Sequence, residues 1–285
     1  MSTERDLRDR IASVKKTQKM TGAMKMVAAA KFKQLNDKMN AFSTFANAIN
    51  RSIQTVCSDL AHDNDSAVFQ RNQSPLRYVI VLGGDRGLCG GFNSAVFKQA
   101  LATIETDKDT VFAVGQKARG LFKSHRIDAH TLNWTADSDG FQCIQDQVSD
   151  FLAGYQRGEF GELLVVRQAF YSAIRIEVQV ESLLPIAINT ETTSTAASGQ
   201  YDYVPSQGAV LDQLVRQYLT TQLFQWVVEN RAGEESSRMN AMESATTNAG
   251  DMIKDLELSY NRARQSAITT ELTEIVAGAE ALVDA

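Results

Sequence analysis

The sequence predicts an α/β protein in which two long terminal helices flank a central domain of alternating strands and helices. Three observations carry that prediction. The 285 residues hold only three prolines, Pro75, Pro185 and Pro205, so both ends lack the residue that most strongly breaks helices. Apolar residues recur at heptad spacing through both ends. Between them, short β-branched runs alternate with glycine turns and amphipathic segments.

The N-terminal arm is read over residues 1–60. A 4-3-4-3 register passes through Leu7, Ile11, Val14, Gln18, Thr21, Lys25, Ala28, Phe32, Leu35, Met39, Phe42, Ala46, Ile49, Ile53, Val56 and Leu60. This spacing keeps one seam of a helix against a partner helix. A helix of that length spans about 90 Å at ~1.5 Å per residue, beyond an ordinary globular helix. The seam is polar in its middle, where Gln18, Thr21 and Lys25 stand, while Met20, Met24 and Val27 form a second apolar stripe beside it. Two readings fit: a helix that changes partners along its length, or local irregularity. Gly22 lies in the same stretch and costs roughly 1 kcal/mol of helix stability relative to alanine.

The central domain is read over residues 75–190. Leu76–Leu82 is a buried-strand pattern, followed by the glycine-rich run Gly83–Asn93. A helix then runs to Ile104 with Asn93 or Ser94 as its N-cap. Val111–Val114 reads as a strand, and a basic helical segment follows Gly115. Val148–Tyr155 reads as helix, and Glu162–Ala169 and Ile174–Leu184 as strands. Such alternation gives a doubly wound sheet. Thr190–Gly199 is rich in Thr, Ser and Ala and reads as a loop.

The C-terminal arm is read over residues 207–285. Its register passes through Leu211, Leu214, Tyr218, Val228, Ala232, Met239, Met242, Ala249, Ile253, Leu256, Tyr260 and Ala263. Alanine and methionine on a seam suit close and adaptable helix packing. Gly233 and Gly250 weaken the helix locally. Beyond Arg264 there is no Lys or Arg, while Ile268, Leu272, Ile275, Val276, Ala279, Leu282 and Val283 recur at helical spacing. An apolar stripe of that kind calls for a partner. Residues 1–38 carry ten basic and four acidic residues, a net of +6, whereas residues 229–285 carry five and eleven, a net of −6. Opposite fields favour pairing of the two arms, and the intervening domain lets the chain turn back, so the predicted order is antiparallel.

Composition narrows the function. The chain has 44% apolar and 22% charged residues and a net charge of −5, which excludes wholesale disorder and offers no global nucleic-acid signature. The longest apolar runs are about five residues, against the ~20 needed to span a bilayer. The opening residues lack the apolar core of a signal peptide. Cys57, Cys89 and Cys143 are scattered, as are His62, His125 and His130. They read as free thiols and isolated imidazoles rather than a metal site.

The glycine run invites a phosphate-binding reading, because a strand, a glycine turn and a helix N-terminus can cradle an anion. No Lys-Ser or Lys-Thr follows Gly90 or Gly91, however, and the GxGxxG spacing is absent. Asp85 and Arg86 read as a structural ion pair or turn cap more naturally than as a catalytic pair. No constellation for nucleophilic or acid–base catalysis stands out, and no cofactor is expected.

At this level the residues resemble the γ subunits of F-type ATP synthases, of the bacterial type. The resemblance rests on Ile11–Val14, Thr17–Thr21 and Ala23–Ala29; on Asp85–Asn93 and Leu183–Ile186; and on Glu229-Asn230, Arg238-Met239, Ala241-Met242 and the run Tyr260–Ala279. It implies a long antiparallel coiled coil of the N- and C-terminal helices plus a central Rossmann-like α/β domain. It further implies a non-catalytic rotor that couples ion-driven rotation of a c-ring to conformational change at catalytic β subunits. The implied partners are three α and three β subunits, an ε subunit and the c-ring. The implied location is the cytoplasmic side of the bacterial cell membrane, as a peripheral protein. Met24 and Lys25 match the segment facing the β lever, Arg264, Gln265 and Thr269 the segment meeting a β loop, Arg238 a region tied to coupling, and Ile275 the bearing. Gly22 and the stretch Arg231–Ser237 depart from the family pattern, as does Glu243-Ser244. The cysteine-bearing insertion of chloroplast γ subunits is absent. The competing readings are a nucleotide-binding α/β enzyme and a free coiled-coil adaptor.

Overall fold

The computed structural model describes residues 4–59, 67–105, 107–172, 175–186, 203–204 and 206–283. The elements are α1 (Glu4–Asp59), β1 (Arg77–Leu82), α2 (Phe92–Thr103), β2 (Asp109–Val114), α3 (Gln116–Ser124), β3 (Ala129–Leu132), α4 (Ser138–Gln156), β4 (Glu162–Phe170), β5 (Ile176–Leu184) and α5 (Gln207–Val283). The chain divides into two compact units, Met1–Ala28 with Met239–Ala285, and Ala29–Arg238. The unit boundaries therefore fall inside both long helices.

The first unit is a pair of helical segments. Lys15 donates to Glu257 at 2.7 Å and Lys25 to Glu243 at 2.8 Å, and the Thr21 and Thr246 hydroxyls lie 2.8 Å apart. Tyr260 donates to Glu4 at 2.9 Å. Rising numbers on α1 meet falling numbers on α5, so the pair is antiparallel, as expected. Leu7, Thr21 and Ala28 are buried along α1, facing a seam of Met242, Ala249 and Ile253 on α5. The expected heptad register is observed: each of its described positions in this unit is buried or half-buried. Two of the polar seam positions, Thr21 and Lys25, meet polar partners across the pair. Gly250 allows a close approach there, since a Cβ on it would lie 3.0 Å from the Gln18 amide nitrogen.

The second unit is built on a five-stranded sheet of order β3-β2-β1-β4-β5. Its first four strands are parallel, and β5 pairs antiparallel to β4. Alternation along the strands serves two cores. Val79, Val81, Leu164 and Val166 face Val96, Phe97 and Ala100 of α2 and Ala118 and Phe122 of α3. Ile80, Leu82, Leu163 and Val165 face the opposite way, into a cluster with α4, residues 211–228 of α5 and Ile53 and Val56 of α1. Asp137 caps α4 by accepting from the Gly140 amide at 2.9 Å.

Four local readings change. α4 starts at Ser138, ten residues before the Val148 read from the sequence, with Asp137 as its cap. β3 follows α3 and was absent from the sequence reading, because Ala129–Leu132 is a four-residue edge strand with an exposed middle. The α2 N-cap position is Gly91, which makes no side-chain cap; Asn93 instead accepts from the Gly84 amide at 2.8 Å. Residues 211–238 of α5 exceed a single seam. Val215, Leu219, Leu223, Phe224, Trp226 and Val227 are buried in addition to the heptad positions, because this stretch forms one wall of a domain core rather than one edge of a helix pair. The loop read at Thr190–Gly199 lies outside the described residues.

Candidate partner surfaces and the filled crevice

Open α/β sheets bind ligands at the carboxyl ends of their strands, where the strand order reverses. Here that point lies between β1 and β4, and the turn after β1 is the glycine run. α5 fills it. Asn230, 2% exposed, donates its side-chain amide to the Gly83 carbonyl at 3.0 Å. The Glu234 carboxylate accepts from the backbone N–H of Asp85 at 3.2 Å and of Arg86 at 3.0 Å. Arg238 donates to Glu234 at 2.6 Å and to the Gly87 carbonyl at 3.2 Å, and Arg231 lies 3.2 Å from the same carboxylate. Gly84 is required at this point, since a Cβ would sit 2.9 Å from the Glu234 carboxyl carbon and 2.8 Å from the Asn93 oxygen.

Asp85 takes a structural role, with Arg231 rather than Arg86 as its ionic partner, and Arg86 contributes its backbone N–H and carbonyl. The Asp85 carboxylate accepts from the Gln116 amide at the start of α3 at 3.1 Å and pairs with Arg231 at 2.7 Å. Gly115, at a φ of 93°, lets the chain turn beneath it: a Cβ there would lie 2.6 Å from the Gly83 carbonyl oxygen. Cys89 is buried, and burial pushes its thiol up from the ordinary range, the opposite of an activated nucleophile. A second buried ionic cluster ties α5 to the sheet. Arg167 of β4 pairs with Glu181 at 2.6 Å and with Glu229 at 2.8 Å, and its guanidinium lies 4.8 Å from the Trp226 ring centre. Burial raises the Glu229 carboxyl, against the opposing effect of Arg167.

Two groups of exposed apolar side chains lie on the long helices. In the helical unit Met20, Met26 and Val27 are 56%, 69% and 57% exposed, although the seam beside them is filled. Met24 and Lys25 are half-buried, Lys25 in its pair with Glu243. Past Tyr260, α5 carries Ile268, Leu272, Ile275 and Val276, all at least 49% exposed. Arg264, Gln265 and Thr269 are exposed on the same stretch, where the Thr269 hydroxyl donates to the Gln265 carbonyl. Of the seven residues expected at partner contacts, six are exposed or half-exposed. Arg238 differs: it is 6% exposed, and its guanidinium serves the interior of the glycine turn.

Sequence reasoning missed Glu234, Asn230 and Arg231 as residues of that turn, which lie about 150 positions away along the chain. Their signal was the charged stretch Arg231–Ser237 on a helix otherwise rich in apolar residues.

The family model described as ATP synthase matches residues 3–282. The ATP synthase gamma chain of Glaesserella parasuis is 34% identical over 289 residues, covering 99% of this chain and 100% of that protein. That of Nitrosococcus oceani is 37% identical over 291 residues, with 99% and 100% covered. The chain belongs to the ATP synthase gamma chain family. Two solved structures share the gamma-chain fold. A chain of the Euglena gracilis mitochondrial ATP synthase rotor aligns at a TM-score of 0.60 and 18% identity, over 93% of this chain and 98% of that one. A chain from the central stalk and c-ring structure of the Tetrahymena thermophila mitochondrial ATP synthase aligns at 0.59 and 21%, over 79% and 99%. Within the gamma chain family, then, this member has its sheet crevice closed by its own carboxylate. No described helix is long and apolar enough to cross a membrane.

Proposed function

We propose that the chain is the central rotor of a bacterial F-type ATP synthase. It turns with a c-ring and ε subunit, and drives the catalytic sites of three β subunits, alternating with three α subunits, through their conformations. The observation that carries this reading is the pair of exposed apolar stripes: Met20–Val27, beside a seam that is already filled, and Ile268–Val276, beyond the Tyr260–Glu4 contact. Apolar stripes of that kind require a protein sleeve. Met24 and Lys25 face the lever of β at the lower stripe. Arg264, Gln265 and Thr269 make polar contacts at the edge of the upper one, and Ile275 lies within the bearing. Arg238 acts from within, by positioning Glu234 and the glycine turn.

The subunit is non-catalytic. Its sheet crevice holds Glu234 and Asn230 where a nucleotide phosphate would have to enter, and the free-enzyme reading loses its site with them. The protein works at the cytoplasmic face of the membrane as a peripheral component of the complex. The test is reconstitution with purified α and β subunits. The expected result is a complex of three α, three β and one copy of this chain that hydrolyses ATP, with no hydrolysis by the chain alone. Failure to associate, or ATP turnover by the isolated chain, would refute the proposal.

A further inference from the structure

We propose that the glycine turn after β1 is a competent seat for phosphate-class oxyanions, kept closed in this chain by the Glu234 carboxylate. The donors are already aimed. Two backbone N–H groups, of Asp85 and Arg86, and two guanidinium groups, of Arg231 and Arg238, converge on one carboxylate at 2.6–3.2 Å. Successive amides of a turn with flanking arginines are the arrangement that binds phosphate in other sheets. Glu234 is 3% exposed, so its oxygens occupy the space a phosphate oxygen would take.

The charges around the seat limit its strength. Asp85 pairs with Arg231 at 2.7 Å, and Glu235 with Arg238 at 2.7 Å. With Glu234 gone, the two arginines at the seat stay paired to two acids, and the remaining attraction comes from oriented donors with Lys31 and Arg86 at the cleft beside them. The expected Kd is on the order of 1 mM, a weak site of about −4 kcal/mol. A tethered carboxylate on a rigid helix has an effective concentration well above that, which is why phosphate does not displace it. Access exists, because a cleft of ≈ 260 Å³ lined by Lys31, Arg86, Arg231, Glu234 and Glu235 opens beside the seat. The consequence for the wild-type protein is exclusion: a sheet of this topology can work in a nucleotide-rich environment without taking up nucleotide.

The experiment uses the full chain, its Glu234→Ala variant and its Glu234→Gln variant. Thermal unfolding is followed in sodium phosphate, sodium acetate and sodium chloride at equal ionic strength. Acetate has the heavy atoms that Glu234→Ala removes, and phosphate tests the proposed class. Phosphate raises every midpoint by its general salt effect, which the wild type and Glu234→Gln report because their seat is filled; at 100 times its Kd, Glu234→Ala should gain roughly 5–11 °C beyond that. If Glu234→Ala does not fold in chloride, recovery of folded protein in phosphate but not in sodium fluoride, a kosmotropic salt without oxyanion oxygens, is the readout. A phosphate gain of Glu234→Ala no larger than that of the wild type, or no recovery in phosphate beyond that in sodium fluoride, would overturn the proposal. A response to acetate alone would overturn the phosphate assignment.

Discussion

Alanine in place of Gly84 and alanine in place of Gly22 should change stability in opposite directions. At Gly84 the added Cβ would lie 2.8 Å from the Asn93 oxygen and 2.9 Å from the Glu234 carboxyl carbon. Neither group can retreat without losing its bonds. Asn93 accepts from the Gly84 amide, and Glu234 accepts from the amides of Asp85 and Arg86. Hydrogen bonds to charged groups contribute about 1.5–3 kcal/mol each, and such losses are not additive within one network. A net loss of about 3 kcal/mol follows, or roughly 6–12 °C for a domain of this size. At Gly22 nothing lies within 4 Å of the added Cβ, so the variant gains only helix propensity, about 0.8–1 kcal/mol. The assay separates the two units. Both tryptophans of the chain, Trp134 and Trp226, are buried in the sheet unit, so their fluorescence reports that unit, while far-ultraviolet circular dichroism reports all helices. Gly84→Ala should lower the fluorescence midpoint, and Gly22→Ala should leave it in place while stabilising helix. An unchanged fluorescence midpoint for Gly84→Ala would show that the turn does not depend on the Glu234 carboxylate.

Other measurements bear on the remaining features. Because the Glu229 carboxyl is raised in the folded state, the native chain binds its proton more readily than the unfolded one, and stability falls as pH rises from the ordinary carboxylate pKa through the folded value. Glu229→Gln should therefore gain on the wild type as pH rises above the ordinary carboxylate pKa, as read from urea midpoints, and a pH-independent difference would refute the assignment. In a background with Cys57→Ser and Cys143→Ser, the Cys89 thiol should react with Ellman's reagent at least ~10-fold more slowly than Cys143 does in its own single-cysteine chain, and speed up on unfolding. Arg264→Ala should lower ATP turnover of the assembled complex more than its yield, since one contact costs ~1.5–3 kcal/mol against a large interface. Ile275→Asp should lower the yield itself by burying an unpaired charge, and normal assembly of that variant would remove Ile275 from the bearing.

Periodic features were legible in the sequence. Heptad spacing identified the α1 seam because a helix paired along one stripe repeats one contact. Its polar members Gln18, Thr21 and Lys25 were legible as seam positions, though not their partners Thr246 and Glu243, which only the antiparallel register supplies. Strands β1, β2, β4 and β5 were visible as β-branched runs; β3 was not, since an edge strand with half its residues in water has little apolar pattern. Residues 211–238 of α5 were read through one stripe, whereas burial on several faces leaves no clean period to find. The glycine run pointed to a phosphate cradle and its missing lysine argued against one. That the cradle is filled from a helix about 150 residues later is a tertiary fact with no local signature.

The shared core between β1, β4, α4 and residues 211–228 of α5 has a consequence for biosynthesis. All five strands are synthesised before the first residue of α5. Until Leu211, Val215, Leu219, Leu223 and Val227 follow, Ile80, Leu163 and Val165 lack a wall of their cluster. At ~5–20 residues per second the 22 residues from Gln207 to Val228 take about 1–4 s to translate. Through that interval the nascent sheet presents an uncovered apolar face, long enough for a chaperone to find it. Slowing translation at codons just before Gln207 should lengthen the exposure and raise the aggregated fraction.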